Sequence, residues 1–135
     1  MNKATAVQFA TQFFASDSLN KLTESAVNYL HNGRRMLLNS GNINASVAKM
    51  LTVEYIEENL LPQMNQNLYT VIVNRLKSAY SQDELLEYLI MEDLYSNSFN
   101  CFFRVDREEF KNNIDKYLVM RFLFNYIIVR EKLNV

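Results

Sequence analysis

Apolar residues recur three or four positions apart along most of this chain, the spacing that lines one face of a helix. Val7, Phe9, Phe13 and Phe14 mark a first amphipathic helix over residues 3–15. Ser16-Asp17-Ser18 then offers capping oxygens for a second, reaching residue 38 with Leu19, Leu22, Ala26, Tyr29, Leu30 and Leu37 on its stripe. Asn39-Ser40-Gly41-Asn42 is the clearest turn signal. A third helix is predicted from Asn44, presenting Val47, Met50, Leu51 and Ile56 before Leu60-Leu61. Pro62 lacks a backbone donor but suits the first turn of a helix, so the spacing predicts a boundary just before it. Met64, Leu68, Val71, Ile72, Leu76 and Ala79 form the stripe of that fourth helix.

Ser81-Gln82-Asp83-Glu84 has the S-x-x-E pattern in which serine and glutamate side chains satisfy two amides at a helix start. It opens a fifth helix with Leu85, Leu86, Leu89, Ile90 and Leu94. Residues 96–104 read equally as a packed loop or a single helical turn. Asp106 with Glu109 repeats the capping logic for a last helix that runs to Lys132. Between residues 117 and 129 this helix is apolar nearly all round. Such a helix is surrounded on most sides, either as the centre of the bundle or with part of it against another chain.

The composition sharpens this picture. Two glycines and one proline in 135 residues leave little to punctuate a sheet, so the predicted fold is all-α. The expected architecture is one compact domain spanning residues 1–135, a bundle of five or six helices with a long, largely buried C-terminal helix. Hydrophobic residues at 49% and charged residues at 21% exclude a disordered chain. The lone Cys101 cannot form an internal disulfide and reads as a small buried thiol. No apolar run reaches the roughly 20 residues that a membrane crossing needs, and the N-terminal segment is too polar for a signal peptide. A cytoplasmic protein without membrane contact is the expectation. High Asn content with Lys, Ile and Tyr suits an AT-rich bacterial or phage genome.

Charge is unevenly spread. Residues 1–53 hold five Lys or Arg against two Asp or Glu, residues 54–110 four against eleven, and residues 111–135 five against two. The acidic middle favours a basic partner.

Chemical motifs are scarce. There is no phosphate loop, G-x-S-x-G or G-x-G-x-x-G. One histidine and one cysteine cannot fill a zinc site, and Glu54, Glu57 and Glu58 lack the histidine partners of a di-iron bundle. The chain is read as a non-enzyme without cofactor or metal. His31, Arg34 and Arg35 form the one concentrated positive patch and are the candidate anion-binding residues. Residues 46–56 resemble a helix-turn-helix core, with Ala48, Leu51, Thr52 and Val53 at the pattern's positions. That resemblance implies a DNA-binding transcriptional regulator centred on residues 46–60. Thr52 stands where glycine is usual, and Glu54, Glu57 and Glu58 would face phosphates, so nucleic acid is disfavoured.

Protein binding is the favoured function: a small regulatory protein of the immunity-protein, chaperone or phage-inhibitor kind. Phe99, Phe102 and Phe103, with Arg121 and Asn125 on the last helix, are the candidate partner-binding residues. Arg121 requires a counter-charge, internally from Asp115 or a glutamate of the fifth helix, or from a partner at an open face. A homodimer through the last helix is expected.

Overall fold

A computed structural model describes residues 3–40, 55–90 and 112–133, and all of its regular structure is helical. The helices are α1 (Lys3–Thr11), α2 (Asp17–Ser40), α3 (Gln66–Ala79), α4 (Gln82–Ile90) and α5 (Ile114–Leu133). A π-helical turn (Ile56–Leu60) and a 3₁₀ turn (Leu61–Gln63) precede α3. The all-α bundle with a long, buried C-terminal helix is the fold that the spacing predicts.

Local chemistry sets most boundaries. After Thr11 the chain tightens, with the amides of Gln12, Phe13 and Phe14 each bonding to a carbonyl three residues back. Ser16 then caps α2, its hydroxyl accepting from the Leu19 amide at 3.2 Å. At α4 both halves of the capping box form. The Ser81 amide donates to the Glu84 carboxylate at 3.0 Å, and the Glu84 amide donates to the Ser81 hydroxyl at 3.2 Å. The bond from the Ser81 backbone, followed by that from its side chain, holds the Glu84 carboxyl below the usual glutamate range.

Pro62 behaves differently from expectation. It sits in the 3₁₀ turn, Met64 is extended, and α3 begins only at Gln66. Asn65 supplies the cap, its side chain accepting from the Asn67 amide at 2.7 Å. The missing proline N–H and the bulk of its ring disturb the turn before it, which widens to i→i+5 pairing with Leu61 N–H on the Ile56 carbonyl. Side-chain amides take up carbonyls there: Gln63 donates to Asn59 O at 2.7 Å and Asn59 to Tyr55 O at 3.2 Å. Two further boundaries also differ. Asn39 and Ser40 continue α2, and α5 begins at Ile114, beyond a bend at Asn113. Gly41, Asn42, residues 96–104 and Asp106 lie outside the described residues.

The core is built around α5, which packs against α1, α2, α3, α4 and the π-helical turn. Every side chain from Tyr117 to Val129 is buried. This segment is therefore the centre of the bundle, covered by its own chain. A second copy would have to meet the protein on another surface. On one side Phe122 stacks edge-on against Phe9 (5.6 Å between centroids) and Phe13 (5.0 Å). Phe14 meets Tyr126 edge-on at 5.6 Å. Lys77 of α3 pairs with Asp115 at 2.6 Å and Lys116 with Glu57 at 3.1 Å, securing the start of α5.

Two tests follow from this packing. Phe122→Ala is expected to destabilise the fold by about 3–5 kcal/mol in denaturant titration, because it empties the centre of the aromatic cluster. The Glu84 box contributes stability that is present above the ordinary glutamate range and is lost as pH falls through the lowered folded-state value. Glu84→Gln should accordingly flatten the acid limb of a pH–stability profile below about pH 5, leaving the alkaline limb unchanged.

Candidate partner-binding surface

The polar residues of α5 come first, because an ionisable group in a core must have a reason to be there. Arg121 and Asn125, one turn apart, are both fully buried. Neither offers surface to solvent. Arg121 lies over the Phe124 ring at 5.3 Å, and Tyr88 of α4, also fully buried, completes a polar cluster between α4 and α5. Burial pushes the Tyr88 phenol well above its ordinary pKa, partly opposed by the Arg121 charge and the Asn125 amide. The Tyr88 hydroxyl and the Asn125 carboxamide are near neighbours, but neither reaches a hydrogen bond of good geometry. Asp115, a candidate counter-charge for Arg121, is engaged by Lys77 instead.

A second polar array ties both ends of the described chain together. The Tyr126 hydroxyl on α5 donates toward Asn20 Oδ1 and the Phe13 carbonyl. Asn20 in turn donates to the Phe14 carbonyl at 2.9 Å. Arg130, one turn beyond Tyr126 and 5.8 Å over its ring, donates to Thr23 Oγ1 at 3.1 Å and the Asn20 carbonyl at 3.3 Å. This clasp joins the α1–α2 turn to α5. Helical spacing alone could not reveal it, since the partners lie 106 to 113 residues apart. Its one legible signal was Tyr126 and Arg130 at i, i+4.

His31 is half-exposed on α2, with Nδ1 3.6 Å from an oxygen of the fully buried Glu131. It thus faces a carboxylate of its own chain, which would repel an incoming anion. Arg34 and Arg35 continue α2, but their side chains lie outside those described, so the positive patch cannot be assembled from described side chains. Phe99, Phe102 and Phe103 also lie outside the described residues, as do residues 46–54 of the helix-turn-helix resemblance. Its remainder is the π-helical turn, carrying Glu57 in its ion pair and the exposed Glu58.

What faces outward is mainly helix surface. On α4 the buried residues are Leu85, Tyr88 and Leu89, which turns Asp83, Leu86 and Glu87 to solvent. Leu86 is 37% exposed, although the apolar stripe had assigned it to the core. α4 contains three carboxylates and no basic residue. A polar cleft of about 270 Å³ runs between α2 and Arg130, bordered by Asp17, Lys21 and Glu24. A second, of about 380 Å³, opens between Phe9 of α1 and the last turn of α3. No group of three metal-binding side chains occurs among the described residues, and no helix there is long and apolar enough to cross a membrane.

Comparison with protein families, curated proteins and solved structures finds no match for this chain.

Two of the buried tyrosines, Tyr126 and Tyr88, separate hydrogen bonding from simple burial. Tyr126→Phe leaves acceptors at Asn20 and Phe13 without their donor and should cost about 1–3 kcal/mol. Tyr88→Phe removes a hydroxyl with no well-formed bond and should change stability by less than about 1 kcal/mol. Chemical denaturation of both variants reads the contrast.

Proposed function

We propose that the chain is a small, cytoplasmic, non-enzymatic protein-binding regulator that engages a basic segment of a partner through α4. The observation that carries this reading is the solvent face of α4, where Leu86 stands between Asp83 and Glu87 on a helix without a positive charge. A lone exposed leucine is ordinary on a protein surface. An apolar spot framed by carboxylates matches a segment that alternates Lys or Arg with apolar residues. Long-range attraction would speed the encounter, and burial of Leu86 would hold the complex.

The buried polar groups support a binding role over a catalytic one. Arg121, Asn125 and Tyr88 are enclosed within the bundle, and Arg130 and Asn20 are engaged in joining helices. Arg121, Asn125 and Tyr88 are not presented to a substrate in an open cleft.

The test is affinity capture from the source cell with the wild-type chain and an Asp83→Lys/Glu87→Lys variant whose circular dichroism matches. A basic protein retained by the wild type, released as salt rises and absent from the variant is the expected outcome. Indistinguishable captured sets would overturn the proposal.

A further inference from the structure

Among the described residues, the cleft between α1 and the last turn of α3 is lined by one charged side chain, Arg75. Its guanidinium lies over the Phe13 ring at 5.0 Å, a cation–π contact that holds the fork against the cleft wall. Among the described residues no carboxylate forms an ion pair with it. Phe9, Ala79 and Tyr80 give the cleft an apolar wall, with Tyr80 edge-on to Phe9 at 6.4 Å. Gln12 and Ser78 add hydrogen-bonding groups at its border. Burial, and then the Glu84 charge, raise the Tyr80 phenol above its ordinary value, so at neutral pH it is a neutral donor.

A planar fork set against an aromatic ring, the one charged side chain among the described residues that line the cleft, beside an apolar wall suits a carboxylate with an apolar neighbour. A phosphate would ask for more than one cation, and the described residues of the cleft supply one. We infer that the Arg75 cleft is a docking site for a partner-protein segment that presents an Asp or Glu side chain next to an apolar residue. The carboxylate would accept two parallel N–H bonds from Arg75, and the apolar side chain would rest against Phe9, Ala79 and Tyr80. This site is separate from the acidic face of α4 and has the opposite charge preference.

The experiment uses the full chain, isotopically labelled, and three pools of end-capped hexapeptides. Their central pairs are Glu-Leu, Gln-Leu and Lys-Leu, with the other positions drawn from small polar residues. The Glu-Leu pool should move the Arg75 side-chain N–H and Tyr80 amide signals, and the Gln-Leu pool should bind about tenfold more weakly. The Lys-Leu pool should leave them in place. Arg75→Gln should weaken Glu-Leu binding about tenfold. Because that change also removes the contact with Phe13, Ser78→Trp provides an independent block, filling the cleft from an exposed position with Arg75 intact. It should weaken binding to a similar degree, with the dispersed spectrum retained. Equal binding of the Glu-Leu and Gln-Leu pools would overturn the inference. So would binding that survives Ser78→Trp, or acetate alone matching the Glu-Leu pool, which would mark a site for small anions only.

Discussion

A helix that is apolar on all sides cannot be satisfied by one neighbour, and α5 imposes that demand on the whole bundle. Its thirteen residues from Tyr117 to Val129 need cover in every direction, and α1, α2, α3, α4 and the π-helical turn each contribute part of it. The amphipathic stripes of those outer helices are explained by the same demand, since each has one face turned to α5 and the other to water. Burying a large aromatic or aliphatic side chain contributes about 1.5–3 kcal/mol. The Phe9–Phe13–Phe122 contacts show how tightly that surface is shared. With the centre filled by side chains, the protein's outward tools are the charges and shallow clefts of its outer helices.

The polar groups of α5 divide by surroundings. Tyr126 and Arg130 have well-directed partners on α2 and at the end of α1, so they fix how those elements meet the central helix. Arg121, Asn125 and Tyr88 sit deeper, between α4 and α5. A buried cation is costly unless compensated, and polar groups in a core more often specify one arrangement than add stability. The two clusters attach to opposite parts of the bundle wall, α2 on one hand and α4 on the other.

Much of the fold was legible in the sequence, because it depends on signals within a few residues. The Ser81–Glu84 box, the Ser16 cap and the all-round apolar α5 each correspond to a local pattern and were found in place. Pro62 misled, because a residue tolerated in a first helical turn is equally at home in a 3₁₀ turn, and the choice fell to Asn65 three residues later. Leu86 misled for another reason. A run of two leucines offers both to the core, and only the packing of α4 on α5 determined that Leu85 turned inward. The candidate sites were hardly legible. Whether Arg121 faced a partner or the interior, whether Glu131 was buried, and that Arg75 lies on Phe13 are all consequences of contacts between distant segments.

The clasp between Asn20 and Tyr126 has a consequence for how the molecule comes to exist. The outer helices precede the central one in the chain, so α1 and α2 leave the ribosome well before the surface they are shaped to cover. Until residues 114–133 follow, Phe9, Phe13 and Leu19 have no permanent place to bury. The nascent chain must carry exposed grease for most of its synthesis, and native structure can close only when α5 is complete.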